Sequence, residues 1–472
     1  MKKTIILALA LALVGGVAYA NFCARDIVPS ASLLVPYIIV DTNADGTPNP
    51  NGYTTLTVVT NVSSAKQLIH VTVWNAASDP VVDFDEVLSG YDVWSINWRD
   101  LVTGNFNLFD TGPGFWTGTI GTAGDAFGPT SNPLGATFVG LADPQDVDYT
   151  PPAVLGCGYP WGDLSIYSGI IKAGLTDPLV AWVDQDTNCD DEAEITFSGW
   201  LASLTASPLF FYATIDTVFA CNGFFPNQTE YWDFDNGVFA GYNTRNNVLT
   251  GYDFYLNFSA NYSESTPAVG LEASSIWPGV GFYSKERDDS GTLNTQDDRE
   301  PLGTAYAFNY LNAGGVTTDV VVWKNYHEFD TVNDNVLACL PYIYYAWDEA
   351  EQAKARTITT CPSGLCFGNP EPNVFPFETQ KVPVTATNFT GLMTGNGWML
   401  IVFDPSIPTN QTIVVEDFLQ AYVFAKYNFG AYSTSVEATT MSNFWCFGTD
   451  QQLPFLNVYE GTGFWYAGPA TP

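Results

Sequence analysis

The chain has 472 residues, of which 50 are acidic and 15 basic, so its formal net charge at pH 7 is −35. This imbalance excludes nucleic acid and anionic membrane surfaces as favourable partners, because both repel an acidic protein. Charged residues make up 14% of the chain and aromatic residues 15%, which excludes an acidic disordered protein and indicates domains with substantial cores.

The N-terminal segment has the features of a Sec-type signal peptide. Lys2 and Lys3 precede an apolar run over residues 4–15, and Ala18-Tyr19-Ala20 supplies the small residues that a signal peptidase requires. Cleavage after Ala20 is expected to release a mature protein that is extracellular or at the cell surface, with the periplasm as an alternative. No later stretch reaches the roughly 20 apolar residues of a spanning helix, so no transmembrane helix is expected in the mature chain.

Short runs rich in β-branched and aromatic residues, separated by Gly, Pro, Asn and Asp, recur along the mature chain. Strands are predicted at 33–40, 54–60, 68–74, 91–97, 211–219, 252–258, 319–323, 398–403 and 420–426. Helices are expected only as minor additions, at 164–173 and 348–356. This pattern predicts an all-β protein with two antiparallel, Ig-like or Greek-key β-sandwich domains and long loops.

The predicted domain organisation follows from changes in composition along the chain. An acidic, turn-rich stretch near residues 285–301 has no apolar run to bury and marks a boundary, while residues 104–160 are rich in Gly, Pro and Thr. The predicted segments are a signal peptide (1–20), a first β-sandwich (21–285) with loop excursions at about 104–205, an acidic linker (286–300), a second β-sandwich (301–447) and a C-terminal tail (448–472).

All the cysteines fall in the mature chain: Cys23, Cys157, Cys189, Cys221, Cys339, Cys361, Cys366 and Cys446. An even number of cysteines in an exported chain predicts disulfide bonds, although eight cysteines allow about a hundred pairings. A local bridge from Cys339 to Cys361 or Cys366 is one interpretation. A half zinc site at Cys361 and Cys366 is the alternative, disfavoured because no second Cys/His pair stands at ligand spacing.

Several segments resemble a known group of sequences: SASLLVPYIIVDTN, TTLTVVTN, HVTVWN and VVDFDEVLSGYDVWSINWRDLVTGN near the start, then FYATIDTVFAC, NVLTGYDFYL, PLGTAYAFNYL, TTDVVVWK and FPFETQKV. Together they resemble an uncharacterised family of predicted exported bacterial proteins. The resemblance spans most of the mature chain and departs at residues 41–52 and 182–203. It implies an exported, β-rich, disulfide-containing architecture and brings no activity, ligand or catalytic residue.

The sequence DTNADG matches the first half of a calcium-binding loop. Asp41, Asn43 and Asp45 place oxygen ligands at alternate positions, Gly46 allows the sharp turn and Asn49 occupies the ninth position. The twelfth position is a glycine, so the closing carboxylate is missing. A polar hairpin loop is the alternative interpretation.

The run DQDTNCDDEAE supplies a second candidate calcium site, with Asp184, Asp186, Asn188 and Asp190 as ligands. A solvated acidic loop is the alternative, because charge runs are usually solvated. A third acidic cluster lies at 288–300, where the neighbouring Arg287 and Arg299 supply partial compensation. Calcium is therefore the one cofactor that the sequence suggests.

No motif of a catalytic site is present: the chain has no GxSxG elbow, no HExxH, no P-loop and no dinucleotide fingerprint. Its two histidines, His70 and His327, leave few candidates for a catalytic triad or a histidine-ligated metal site. Carboxylate pairs suited to glycoside hydrolysis can be nominated among Asp83, Asp85 and Glu86 or at 416–417, but in so acidic a chain some pair is expected by chance.

Aromatic residues offer a second route to carbohydrate recognition. Trp94, Trp98, Trp116, Trp161 and Trp465 would stack on sugar rings if they were exposed, whereas core packing is the commoner role of tryptophan in β-sandwiches.

Three classes of function follow from these observations. The first is an exported non-catalytic protein with a structural, adhesive or binding role at the cell surface, whose partner is a surface polymer or another surface protein. The second is a carbohydrate-binding or carbohydrate-active secreted protein. The third is an outer-membrane β-barrel, against which the cysteines and the uneven strand spacing argue.

Overall fold

The computed structural model describes residues 28–43, 49–76, 80–102, 175, 208–219, 225–226, 229–232, 243–273, 282–283, 297–303, 305–325, 342–349, 353–358, 375, 378–389, 392, 395–403, 420–430 and 432–440. Strands dominate this part of the chain, and they pair in antiparallel sheets. The predicted all-β class is therefore confirmed.

The first half of the described chain forms two sheets. Its strands are β1 (Ser32–Val40), β2 (Thr54–Asn61), β3 (Gln67–Trp74), β4 (Pro80–Leu88), β5 (Val93–Asn97), β6 (Leu209–Val218), β7 (Leu249–Asn257), β8 (Tyr262–Pro267) and β9 (Val269–Leu271), with the short helices α1 (Trp98–Val102) and α2 (Thr229–Trp232). Sheet A has the order β5-β2-β7-β8, and sheet B has the order β4-β3-β6-β1-β9.

The second half repeats this arrangement with two further sheets. Its strands are β10 (Ala305–Leu311), β11 (Val316–Lys324), β12 (Tyr342–Asp348), β13 (Ala353–Ile358), β14 (Thr379–Pro383), β15 (Asn396–Val402), β16 (Ala421–Phe429), β17 (Tyr432–Glu437) and β18 (Thr439–Thr440). Sheet C has the order β14-β11-β16-β17, and sheet D has the order β13-β12-β15-β10-β18.

All of the strands predicted from sequence are found, but the predicted helix at 348–356 is wrong. Strand β12 ends at Asp348, β13 begins at Ala353, and the two pair with Trp347 opposite Ala353. The helix-favouring spacing of acidic and basic residues is overridden because residues 353–358 pair with β12, whose alternate residues Tyr342, Tyr344 and Ala346 are buried in a core. The predicted helix at 164–173 lies outside the described residues.

Sheets A and B enclose a largely aliphatic core. From sheet B, alternate residues such as Leu33, Ile69 and Ile215 point into it, and sheet A contributes Val59 and Ile96. Because alternate side chains of a strand point to opposite faces, the remaining residues of sheet B lie on its second face.

Sheets C and D enclose a core that is richer in aromatic residues. Its members include Tyr306, Phe308, Tyr310, Tyr342, Tyr344, Phe375, Phe389 and Phe403, with Val320, Val322 and Val423 from sheet C. The described residues thus form two sandwich-like pairs of sheets, each with its own core.

A third buried cluster joins the two pairs of sheets. The rings of Tyr212 on sheet B and Trp323 on sheet C meet edge to face with centroids 5.7 Å apart. The backbone N–H of Glu378 donates to the carbonyl oxygen of Ala76 at 2.9 Å. The second face of sheet B is therefore buried against the other half of the molecule, and we call this contact region the seam.

Among the helices in the described ranges, none has the length and the apolar character needed to cross a membrane.

Candidate functional site

Polar side chains form a row across sheet B on the face that the seam covers. His70 on β3 stands opposite Asp85 on β4 and Asp216 on β6, and Asp216 stands opposite Ser32 on β1. Directly paired residues of antiparallel strands point to the same face, so the four side chains adjoin. None is more than 2% exposed. The row is the largest concentration of titratable groups that the strands bring together in sheet B.

His70 lies between two carboxylates. Its Nδ1 is 2.9 Å from Oδ1 of Asp85, and its Nε2 is 3.6 Å from Oδ2 of Asp83. Burial lowers the pKa of His70, but the Asp85 carboxylate and its hydrogen bond, helped by Asp83 and Asp216, raise the pKa above its ordinary value. The neighbouring carboxylates therefore stabilise the protonated imidazolium relative to a free imidazole in water.

Asp216 gathers donors from three separate segments. The hydroxyls of Tyr231 and Tyr283 donate to Oδ2 at 2.6 and 3.0 Å, and the Ser32 hydroxyl donates to Oδ1. Tyr231 belongs to α2, and Tyr283 lies in the 282–283 segment. These hydrogen bonds fasten both segments onto sheet B.

Arg299 completes the network from the far end of the first half. Its Nε donates to the Ser32 hydroxyl at 2.6 Å, and its Nη1 donates to Oδ1 of Asp298 at 2.6 Å. Its Nη2 donates to Oδ1 of Asn243 at 3.0 Å. Burial lowers the pKa of Arg299, and Asp216, Asp298 and Asp297 raise the pKa by more.

Asp297 is held by backbone groups of the same seam. It accepts the backbone N–H of Tyr283 at 2.7 Å and that of Arg299 at 2.8 Å. Burial raises the pKa of Asp297 to about 7. The end of the acidic stretch that the sequence assigns to a linker is therefore packed at the seam, while the boundary itself stays a prediction.

A second hydrogen-bonded carboxylate links the edges of sheets A and C. Glu264 on β8 accepts from the Lys426 ammonium at 2.7 Å, the Tyr262 hydroxyl at 2.6 Å and the Ser435 hydroxyl at 3.0 Å. The Ser433 hydroxyl also donates to it. Because Ser433 and Ser435 lie on β17, this carboxylate ties the two pairs of sheets together.

One buried carboxyl lies in the first core instead of the seam. Asp253 on β7 accepts a hydrogen bond from the Thr57 hydroxyl at 2.6 Å through Oδ1, while its Oδ2 has no hydrogen-bond partner. The indole N–H of Trp98 donates to the same hydroxyl at 2.7 Å. Burial raises the pKa of Asp253 to about 7, and the Thr57 hydrogen bond only partly offsets that rise.

The carboxylates nominated for glycoside hydrolysis are withdrawn from solvent. Asp83, Asp85 and Glu86 are at most 2% exposed, so a polymer chain has no access to them in this conformation. Trp94 and Trp98 are 3% and 0% exposed, which confirms the core interpretation of both. The other nominated residues, Trp116, Trp161, Trp465, His327 and the pair at 416–417, lie outside the described residues.

The first calcium candidate is partly described. Oδ2 of Asp41 accepts the backbone N–H of Tyr53 at 2.7 Å, and Oδ1 of Asn49 accepts that of Asn51 at 3.1 Å. Both side chains thus support a turn, and a Cβ at Gly52 would lie 2.2 Å from the Cβ of Asp41. This contact explains why glycine occupies the position where a calcium loop has its closing carboxylate.

The other predicted calcium ligands are placed as follows. Asn43 is the last described residue before a gap, and Asp45, Asp184, Asp186, Asn188 and Asp190 lie outside the described residues. Within the described ranges, no group of three or more His, Cys, Asp and Glu side chains could hold a metal ion. Calcium binding therefore remains a prediction.

The outward face of sheet A is made of uncharged residues, two of them large apolar or aromatic side chains that are exposed. Tyr252 is 43% exposed, and Val93 is 55% exposed. The positions that share this face by register are Thr54, Leu56, Val58, Thr60, Val93, Ser95, Asn97, Thr250, Tyr252, Phe254, Leu256, Ser263, Ser265 and Pro267. None of them is charged, which distinguishes this face in a chain with a net charge of −35.

A pair of stacked tryptophans lies on sheet D. Trp347 on β12 stands opposite Trp398 on β15, with ring centroids 3.7 Å apart and an interplanar angle of 5°. Trp398 is 36% exposed. Asn309 stands opposite Trp398 on β10, and the Asn396 amide donates to Oε1 of the exposed Glu349 at 2.9 Å. We call these five residues the tryptophan edge.

Sequence reasoning missed both the row and the tryptophan edge. The available signal for the row was a polar residue within an otherwise apolar strand, as at Ser32, His70 and Asp216. For the tryptophan edge the predicted helix at 348–356 hid the alternation that places Trp347 and Glu349 on one face.

Comparison with protein-family models, with curated proteins and with solved structures gives no match.

Proposed function

We propose that the protein is an exported, non-catalytic component of the cell surface or the extracellular space, with a structural, adhesive or binding role. Its partner is a surface polymer or another surface protein, met through the faces of its sheets. The Sec-type signal at residues 1–20 supports export, and the burial of Asp83, Asp85, His70 and Asp216 under the segments that cover sheet B supports a structural role for these groups.

The observation that carries this proposal is the uncharged outward face of sheet A. Two copies of an acidic protein, or the protein and an acidic envelope, repel one another, so close contact favours a face without charges. Exposed Tyr252 and Val93 beside partly buried Leu56, Val58 and Phe254 supply apolar contact area, and the interspersed hydroxyl and amide side chains supply hydrogen bonds.

Fractionation of the producing cells tests localisation and assembly together. We expect the mature chain to begin at Asn21 and to sediment with cell-surface material. N-terminal sequencing and an antibody against the mature chain provide the two readouts. A chain that retains Met1, or one that is found only as a free monomer in the medium or periplasm, would contradict the proposal.

The role of the sheet A face is tested by a charge placed on it. Tyr252→Asp puts a carboxylate among uncharged residues and should shift most of the protein from the sedimenting to the soluble fraction. Tyr432→Asp is the matched control, because Tyr432 is an exposed tyrosine on sheet C, 77% accessible. Equal release of both variants would show that the face is not the contact.

Calcium binding is part of the proposal through the acidic loops at 41–49 and 184–190. Clustered carboxylates repel one another, and a divalent cation relieves that repulsion outside the cell. We expect the melting temperature to rise in calcium relative to chelator, because a ligand that binds only the folded state stabilises it. Identical melting under the two conditions would remove calcium from the proposal.

The finer architecture is proposed as well. The insertion of β6 between β3 and β1, and of β15 between β12 and β10, supports Ig-like or Greek-key connectivity in the two sandwiches. The cysteines of an exported chain support disulfide bonds. Peptide mapping by mass spectrometry without reduction tests them, and eight free thiols in the secreted protein would refute them.

Carbohydrate binding is the second candidate, and the tryptophan edge specifically favours it. Sugar rings have apolar C–H faces and hydroxyl groups around them. Exposed aromatic rings can stack on the C–H faces, and neighbouring amide and carboxylate groups can hydrogen-bond to the hydroxyls.

A further inference from the structure

We propose that the tryptophan edge of sheet D is a binding site for an uncharged saccharide, with the Trp398 ring as the stacking platform and Asn309 and Glu349 as hydrogen-bonding groups. This inference deepens the proposed surface-binding function and rests on it.

The register of sheet D orients the platform. Trp398 lies between Trp347 on β12 and Asn309 on β10. Because the two indoles are parallel and 3.7 Å apart, one face of the Trp398 ring is covered by Trp347. The stacking runs across the strands, so the other face of Trp398 is directed toward β10. Its neighbour there is Asn309, a short and exposed side chain that leaves room for a ring.

The backbone beneath the pair fixes the platform. A Cβ at Gly397 would lie 1.9 Å from the carbonyl oxygen of Trp347, so glycine allows β15 to approach β12 closely at this point. The Tyr310 hydroxyl donates to the same carbonyl oxygen at 3.1 Å. A ring held by its neighbours loses little conformational entropy on binding, which favours affinity.

The polar rim is also oriented by the protein. Oδ1 of Asn396 accepts the backbone N–H of Asn312 at 3.1 Å, which directs its amide nitrogen to Glu349. The exposed Glu349 carboxylate keeps acceptor capacity for ligand hydroxyls beyond this one hydrogen bond. Asn309 offers both a donor and an acceptor, so the rim matches a polyhydroxylated ligand.

The charge of the site selects among saccharides. Glu349 lies on the rim and Asp348 is its chain neighbour, within a chain of net charge −35, so uronic acids, sulfated sugars and phosphate-bearing polymers are repelled. A neutral hexose or pentose polymer meets no such penalty.

The binding experiment uses the full mature chain and four neutral probes, cellohexaose, xylohexaose, mannohexaose and chitohexaose, measured by tryptophan fluorescence and isothermal titration calorimetry. We expect saturable binding of at least one probe. Trp398→Ala should weaken it by about tenfold or more, the equivalent of losing one stacking contact, and Trp398→Phe by less. Tyr432→Ala, which removes an exposed aromatic ring from sheet C, should leave it unchanged.

Two results would overturn the inference. One is the absence of saturable binding of all four probes to folded wild-type protein. The other is binding that Trp398→Ala changes less than twofold, which would leave the tryptophan pair as a purely structural cross-strand contact. Melting temperatures establish that each variant is folded. If Trp398→Ala does not fold, the comparison of Trp398→Phe with the wild type provides the test.

The outcome is separable from that of the proposed function. If no glycan binds while Tyr252→Asp still releases the protein from surface material, only the saccharide site is lost. If the wild-type protein is a free monomer but binds a glycan through Trp398, the surface role falls and the binding site stands.

Discussion

The two faces of sheet B are built from alternate residues of the same strands, yet they are stabilised in different ways. One face presents Leu33, Ile69 and Ile215 to an aliphatic core. The other presents Ser32, His70 and Asp216 to tyrosine hydroxyls and to further charged groups. Apolar contacts contribute free energy without fixing direction, whereas hydrogen bonds between buried polar groups are directional.

This difference assigns separate tasks to the two faces. The aliphatic face accepts any partner of suitable shape, which is enough to hold sheet A. The polar face accepts only segments that bring matching donors and acceptors, such as Tyr231, Tyr283 and Arg299. We infer that the polar face specifies which segments cover the sheet, at a cost in desolvation that an apolar face avoids.

Removing the arginine of the seam should have the largest effect on stability. Arg299→Met leaves the buried Asp216, Asp297 and Asp298 without their shared cation and should lower the free energy of unfolding by about 3–5 kcal/mol. Urea denaturation followed by tryptophan fluorescence measures the loss. Arg245→Met is the matched control, because Arg245 contacts the same Asp298 with a side chain that is 61% exposed; its loss should stay below about 1 kcal/mol. Equal losses of unfolding free energy in the two variants would contradict the proposal that the buried hydrogen bonds of Arg299 specify the polar face.

The buried carboxyl of the first core should make stability depend on pH. Burial raises the pKa of Asp253 from 3.8 to about 7, so the folded state keeps a proton that the unfolded state releases. Stability from this group is complete below about pH 4 and is lost as pH rises to about 7, at most ~4 kcal/mol.

Asp253→Asn keeps the shape and stays neutral, so the variant should gain stability over the wild type above pH 7 and little at pH 4. Thermal unfolding from pH 4 to 8 measures the difference. Glu272→Gln, at an exposed carboxyl, should leave the wild-type pH profile intact. An unchanged profile in the asparagine variant would show that Asp253 ionises normally in the folded protein.

The aliphatic face should respond to a cavity without any change in pH dependence. Ile69→Ala removes buried methyl groups next to His70 in sequence but on the opposite face, and should cost about 3 kcal/mol at every pH. Chemical denaturation at pH 5 and pH 8 checks this. A loss that varies between the two pH values would mean that the two faces are coupled.

The smallest effect is expected at the edge contact between sheets A and C. Ser433→Ala removes one of the donors to Glu264 and should cost about 1 kcal/mol, since the other donors remain. Thr434→Ala, at an exposed neighbouring position on β17, is the control and should be nearly neutral. A larger loss in the control would place the stabilising contact of β17 elsewhere.

Local patterns were sufficient for strands such as β2, β3 and β7, but β10 and β12 were not predicted although their residues are largely apolar. Strand β4 was missed because Asp83, Asp85 and Glu86 resemble a solvated acidic segment, and their burial depends on partners such as His70 on another strand. A single sequence does not indicate which distant residue will neutralise a carboxylate.

The same limit applies to the sites. Asp216 was placed correctly on a predicted strand, but its donors come from Ser32, 184 residues earlier, and from Tyr283, 67 residues later. The tryptophan edge needs Trp347 and Trp398 to be register partners, which depends on the pairing of β12 with β15. Pairing over such distances is set by tertiary packing, so local spacing could not reveal it.

The position of Arg299 in the chain also bears on the order of folding events. Its contact with Ser32 joins residues 267 positions apart, so the polar face of the first sandwich is completed only after most of the chain has been made. Long-range closure of this kind slows folding. The protein is proposed to be exported as an unfolded chain. Because Arg299 is synthesised late, we infer that folding of the first sandwich is delayed on the ribosome and is completed after export.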